Sequence, residues 1–577
     1  MTEPNRYPIP ARRRLPPDWQ PAEWAVIQPV AEELAGRPLG DRAALEGWLL
    51  DRSELDSLVG GRSSRLHVAA ARDTADRAAE GAHLDYQTVV LPEYRKVSDR
   101  LDRKYLECPH RAELDPAFWT VYQRDAELAV ELFREENVEL EAEDERLATE
   151  YGRITGALTV DFGGAERTLP EMAPFYEDLD RGVREAAWRA VAGRRLRERE
   201  QLEALFEQMV GLRGRIAANA GYSDYRDFKH RELGRFDYTP ADCQALHANV
   251  ERHVLPFVRR LTARRQELLG IAPLRPWDFS VDPEGKPPFR PFEDAAGQVR
   301  VAATLMERVD PGFAADLRWM EAEDLLDLET RPSKRQGGFM DTFEDVRWPF
   351  IFSNSSPTHG GVETLVHEGG HSVHGLLSRG LEPVDYRSAP IEFCEVASMG
   401  MEMMALEHLD AVYPPQEARR AALDSLEDAA ASLAWICTVD AFQHWIYTHA
   451  GHSAAQRADA WVDLRERFGA PTDWTGLEEQ RRHAWQGQLH VFEVPFYYVE
   501  YAIAQIGAFQ LWSNYRRDPA GAVARFREGL ALGGSQPLPR LFEAAGLRFD
   551  PRGDGLGELV AELEAAWLAR LADGASA

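Results

Sequence analysis

The sequence predicts a mainly α protein built as two lobes, and three observations carry that expectation. At 577 residues the chain exceeds the size at which a single hydrophobic core keeps growing. Strong helix formers recur at helical spacing over most of it, as in DAELAVELFREENVELEAEDERLATEYGR from Asp125. Three stretches break that pattern, and no long-range repeat is present. Hydrophobic residues make up 44% and aromatics 10%, which is ordinary for a folded globular chain and too apolar for a disordered one.

The N-terminal stretch MTEPNRYPIPARRRLPPDWQP mixes charges and prolines without the apolar segment of a secretory signal. A helical lobe is expected over residues 1–200. Its one interruption is a short hairpin near 157–169, where TGALTVDFGGAERTL alternates apolar residues around Gly163 and Gly164. The second lobe is expected over 201–577. Its proline-rich segment APLRPWDFSVDPEGKPPFRPF, from Ala272, cannot lie inside a long helix and reads as a surface crossing. The third break, GGFMDTFEDVRWPFIFSNSSPTHGG from Gly337, carries aromatic and β-branched runs between Gly, Asn and Ser, and reads as a small sheet or hairpin.

Acidic residues outnumber basic ones 96 to 67, a formal net charge of -29. Such a field repels phosphate backbones and anionic membrane surfaces, so neither nucleic acid nor a membrane is an expected partner. No run of about 18 apolar residues predicts a transmembrane helix, and a cytoplasmic location is expected. Cys108, Cys243, Cys394 and Cys437 form no CxxC pair and read as small buried hydrophobes.

Directly after the third break comes ETLVHEGGHSVHGLLSRG, residues 363–380, ending in the Arg-Gly of a helix stop. On one helix His367 and His371 lie a turn apart, about 6 Å along the axis, so both imidazoles can converge on one ion. Glu368 is then placed to reach water activated by that ion without ligating it. The pattern HExxH arises by chance in roughly one such chain in twenty. Gly369 and Gly370 cost a helix about 1 kcal/mol each relative to Ala, which close backbone approach by a substrate or neighbouring helix explains. His374, about 10 Å up the axis from His367, is too far to share a coordination shell of about 2 Å and reads as a packing neighbour. A catalytic zinc needs a third protein ligand. IEFCEVASMGMEMM offers Glu392, Glu395 and Glu402, and spacing alone does not separate Glu392 from Glu395.

In order along the chain, GGF at Gly337, PFIFSN ending at Asn354, ETLVHEGGHSVH from Glu363, FCEVASMGME from Phe393 and PFYYVEYAIAQIGAFQLW from Pro495 resemble the thimet oligopeptidase and oligoendopeptidase F family of zinc metallopeptidases, which includes the bacterial Pz-peptidases. The resemblance implies two helical lobes around a deep substrate cleft and one Zn2+ per chain, held by His367, His371 and Glu395, with Glu392 as runner-up. It implies Glu368 as general base and acid, and Glu363 as acceptor of a ligand imidazole's second N–H, with Glu402 a weaker candidate for a similar supporting role.

HVFEVPFYYVEYAIAQIGAF from His490 supplies phenols and an imidazole. If Pro495 starts a helix, Tyr497 and Tyr501 share a face, and Phe496, Val499, Ile503 and Ile506 form an apolar stripe. Alone, such a cluster reads as core packing. The resemblance instead implies that His490, Tyr497 and Tyr501 line the cleft and stabilise the oxyanion, and it leaves open which of Tyr497, Tyr498 and Tyr501 donates. His359, in SPTHGG, is either a substrate contact or a helix-entry residue.

The expected activity is cleavage of internal bonds in short, unstructured peptides, with the substrate extended along the strand near PFIFSN. Two rival readings stay open: an exopeptidase on the same metal site, and a peptide-binding protein without catalysis. Monomer and dimer are both open.

Overall fold

Helices carry most of the chain in the computed structural model, which describes residues 6–331, 333–335 and 337–575. The first expected break is a hairpin of β1 (Thr159–Phe162) and β2 (Ala165–Thr168). Phe162 pairs with Ala165, which leaves Gly163 and Gly164 as a two-residue turn. Their φ values of 63° and 80° are the positive angles that a type I′ hairpin turn demands and glycine supplies without strain.

The third break supplies β4 (Phe339–Phe343) and β5 (Trp348–Ser355) of a sheet that β3 (Leu326–Glu329), upstream of the break, completes in the order β3-β5-β4. β5 runs parallel to β3 and antiparallel to β4. The PFIFSN segment therefore lies in the centre of the sheet, with both of its edges paired, and β4 is an outer strand. β3 has no counterpart in the sequence reading, because four residues directly after a helix carry too little alternation to register.

Among the described residues the apolar interior falls into three clusters. The largest runs from Val68 to Trp567 and takes in every helix around the histidine motif. A second joins residues 15–126 and receives Tyr386 from the other half of the chain. Tyr386 accepts the backbone N–H of Tyr122 (3.3 Å) and donates to the carbonyl of Phe118, so it clasps the N-terminal helices to the rest. A third, small cluster backs the hairpin through Leu158, Val160 and Met172.

Three helices meet at the centre: the histidine helix (His359–Ser378), the glutamate helix (Ile391–Ala405) and the tyrosine helix (Tyr498–Arg517). The histidine helix starts a turn before the expected Glu363, because the Thr358 side chain accepts the Gly361 N–H (3.2 Å) as an N-cap. Its two internal glycines differ in purpose. A β-carbon on Gly370 would stand 2.6 Å from the Ala397 carbonyl oxygen and 2.7 Å from Ser398 Cα, so this is where the backbones of the histidine and glutamate helices touch. A β-carbon on Gly369 would meet only the flexible end of Met306, 3.1 Å from its sulfur. On the far side of the glutamate helix, Gly400 accommodates Leu511 of the tyrosine helix, whose Cδ2 would be 2.6 Å from an added β-carbon.

Gly370→Ala is expected to force the two helices apart and to destabilise the protein by about 1–3 kcal/mol, as overpacking does. Gly369→Ala can gain up to about 1 kcal/mol of helix propensity as Met306 moves aside. Thermal melts of the two variants against wild type check the contrast; equal losses would show that backbone contact at Gly370 is not limiting.

Candidate active site

His367 and His371 project from one face of their helix, with ring centroids 4.9 Å apart. Glu395, one residue before the 396–398 stretch that crosses Gly370, faces both. Its Oε2 lies 3.4 Å from His367 Nε2 and 3.5 Å from His371 Nε2. One donor atom from each of the three side chains lies within 4.8 Å of the others. Two imidazoles and a carboxylate at that spacing suit a zinc ion with a position left open. Glu392 turns elsewhere and accepts the Tyr238 hydroxyl (2.6 Å).

The electrostatics agree with a cation site. Burial opposes charge on Glu395, yet His371 and His367 hold its carboxyl well below the usual range. Burial likewise opposes charge on His367, and Glu395 with Glu402 hold it well above its usual value. Glu395 is also oriented from behind. Tyr497 donates to its Oε1 (2.7 Å) and the Ser398 hydroxyl to its Oε2 (3.0 Å).

The supporting carboxylates exchange the roles implied by the resemblance. Glu402 accepts from His367 Nδ1, because it lies two turns beyond Glu395 on the same face of the glutamate helix. Glu363 turns away from the His367 and His371 imidazoles. It accepts from Ser425 (2.5 Å) and lies 3.3 Å from His359 Nε2. His359 is in turn tied to Tyr413 (3.2 Å) and Ser425 (3.0 Å) in the first turn of the helix, which is the helix-entry alternative. His374 is buried against Phe393, ring centroids 5.9 Å apart, and burial beside His371 pushes it down to about 3, so it is uncharged.

Glu368 Oε2 is buried and has no hydrogen-bond partner among the described residues. Burial raises its carboxyl above the usual range against the pull of His367 and His371. A buried carboxylate oxygen without a partner is costly to the fold and suited to receive a proton. Gly338, just before β4, faces it: a β-carbon there would lie 3.7 Å from Glu368 Oε1. From Gly338 a cleft of about 680 Å3 extends past Phe339 to a wall of Trp188, Trp277 and Trp474.

Pro495 does not start the tyrosine helix, which begins at Tyr498. Phe496 adopts φ 67°, a left-handed conformation that L residues with side chains adopt at a cost. Three buried groups hold it there. Gln443 accepts the Phe496 N–H (2.6 Å), Arg235 donates to its carbonyl (2.5 Å), and its ring packs 5.5 Å from His444. The kink puts Tyr497 in a turn of its own, over Glu395. The apolar stripe of Phe496, Val499, Ile503 and Ile506 is buried throughout. His490, on a short helix (Leu489–Phe492), lies 5.8, 4.7 and 6.0 Å from the rings of Tyr497, Tyr498 and Tyr501. Burial lowers it to about 4. Gln488 donates to His490 Nδ1 (2.9 Å) and to the Tyr498 hydroxyl (2.7 Å), so the His490 proton sits on Nε2.

The sequence model of peptidase family M3 matches residues 175–559. This chain belongs to peptidase family M3. Among M3-like relatives, the plasmid-encoded oligoendopeptidase F of Lactococcus lactis subsp. cremoris is 24% identical over 382 residues, 60% of this chain and 60% of that protein. Group B oligopeptidase PepB of Streptococcus agalactiae serotype III is 22% identical over 365 residues, 61% of this chain and 56% of its own length. The chain thus matches less than two thirds of the length of these curated relatives. A solved structure described as PZ peptidase A with an inhibitor superposes with a TM-score of 0.89 at 26% identity, covering 94% of this chain and 96% of that one.

If Glu402 orients a metal-binding imidazole in this family M3 chain, Glu402→Ala should lower zinc affinity about 10- to 100-fold, whereas Glu363→Ala should leave it unchanged. Competition against a chelator of known affinity reads both; the reverse order would return the supporting role to Glu363.

Proposed function

We propose that this chain is a zinc-dependent oligoendopeptidase that hydrolyses internal bonds of short, unstructured peptides. The observation that carries the reading is the partnerless buried oxygen of Glu368 beside the donor set of His367, His371 and Glu395. Membership of peptidase family M3 supports it. In this reading those three residues hold the metal. Zinc, when bound, lowers the pKa of water to about 7 and polarises a carbonyl.

Glu368 takes the proton of the attacking water and later delivers it to the leaving amine, and its burial-raised affinity for a proton suits both transfers. The Tyr497 hydroxyl already donates its hydrogen bond to Glu395, so we assign it to orienting the ligand carboxylate. Tyr501, on the adjacent turn with its ring 5.1 Å from that of Tyr497, then donates to the developing oxyanion, together with the uncharged Nε2–H of His490. The substrate backbone runs beside residues 337–339, where the outer strand β4 begins and Gly338 admits a chain close to Glu368.

Gly338 both faces Glu368 and lines this cleft, which suits an extended peptide running past the site. No helix of the described residues is long and apolar enough to cross a membrane. All four cysteines are unpaired, which suits the reducing cytoplasm.

Glu368→Gln is expected to keep its zinc and lose nearly all turnover; full activity would falsify the assigned mechanism. Tyr501→Phe should reduce kcat about 10²- to 10³-fold with zinc retained, whereas Tyr497→Phe should also weaken zinc binding. Zinc content measured alongside kcat separates the two tyrosines. A quenched peptide blocked at both ends should still be cut, and failure to cut it while the free peptide is degraded would favour the exopeptidase.

A further inference from the structure

The largest concentration of unused metal-ligating chemistry lies away from His367, between two other helices. Cys243 and His247 are four residues apart on one (Pro240–His253), and Asp440 and His444 are four apart on the other (Pro415–Thr448), so each pair shares a helix face. Donor atoms of Cys243, Asp440 and His444 lie within 4.8 Å of one another. All four side chains are buried, with exposures of 1%, 4%, 0% and 7% in sequence order. Asp440 Oδ2 is engaged by His247 Nε2 at 2.7 Å and lies 3.3 Å from His444 Nε2. Cys243 Sγ donates to the Thr239 carbonyl at 3.5 Å. Asp440 Oδ1 and His444 Nδ1 are buried with no hydrogen-bond partner among the described residues.

Orphaned polar atoms of this kind are rare in a folded interior, and here two occur in one cluster beside a thiol. We propose that Cys243, Asp440 and His444 bind a second, structural divalent cation of the zinc type, with His247 holding the Asp440 carboxylate in place. Thiolate, carboxylate and imidazole are ligands that zinc accepts. One thiolate and one carboxylate balance a dication, leaving a buried site without net charge. Reading Cys243 as a small buried hydrophobe explains its burial but not the unpaired polar atoms beside it. The site also has a purpose in the fold. His444 packs on Phe496, and its neighbour Gln443 accepts the Phe496 N–H, so an ion here stiffens the turn that aims Tyr497.

The test counts metal in the full-length protein after equilibration with Zn2+ and removal of excess. Wild type should hold about two zinc ions per chain, His371→Ala one, and Cys243→Ser one with the active-site ion kept. Cobalt then identifies the ligand. The His371→Ala chain loaded with Co2+ should show a thiolate-to-cobalt charge-transfer band that the His371→Ala/Cys243→Ser double variant lacks. Should Cys243→Ser not fold, the wild-type and His371→Ala counts still decide. One ion in wild type with none in His371→Ala, or bound cobalt without the thiolate band, overturns the proposal whether or not the chain cleaves peptides.

Discussion

The contact between two helix backbones at Gly370 fixes the geometry on which the rest of the site depends. HExxH provides two imidazoles on one helix, but a third ligand has to come from another element, and its reach is set by how closely that element approaches. With no side chain at Gly370 the glutamate helix comes against the histidine helix at Ala397 and Ser398. The same approach presents Glu395 to both imidazoles and, two turns on, Glu402 to the back of His367. Glu395 and Glu402 are thus both placed by one rigid-body relation between two helices. Precision of that kind is easier to achieve with packed helices than with loops.

The opposite wall of the site is held by buried polar groups. Residues 493–497 join the short helix to the tyrosine helix, and the carbonyls of Val491, Phe492 and Phe496 are taken up by arginines from the earlier half of the chain. Arg213, fully buried, donates to the carbonyls of Val491 (3.2 Å) and Phe492, and is balanced by Asp144 (3.0 Å). Arg235 bridges the Phe496 carbonyl and Glu500 (2.7 Å). Buried charges of this sort add little net stability compared with apolar packing. What they supply is a defined backbone path, which at Phe496 includes a left-handed residue that hydrophobic packing alone would relax.

Local pattern explains which features were legible in the sequence. The hairpin is announced by Gly163 and Gly164 within an alternating run, and the histidine helix by its spacing and stop signal, since turn chemistry and helical periodicity are both local. The exchange between Glu363 and Glu402 was not legible. Both carboxylates sit at plausible offsets, and only the rotation of the glutamate helix about its contact at Gly370 decides between them. The late start of the tyrosine helix was hidden as well. Proline suits a first helical turn, and nothing within residues 495–501 reveals that Gln443 and Arg235, distant in sequence, hold Phe496 out of helical conformation. The pairing of Cys243 with Asp440 and His444 spans two helices far apart in the chain. Each i, i+4 pair could be seen, but not their meeting.

The outer strand β4 is both an edge of a sheet and the start of the cleft rim. An unpaired strand edge will pair with any extended chain that reaches it, including a neighbouring molecule's. Here its start, at the exposed Gly337 and Gly338, also lines the cleft that the three tryptophans wall. A strand already engaged in another protein's sheet has no free edge to offer it, so an edge of this kind discriminates by conformation: only a chain whose backbone groups are unpaired can add to it.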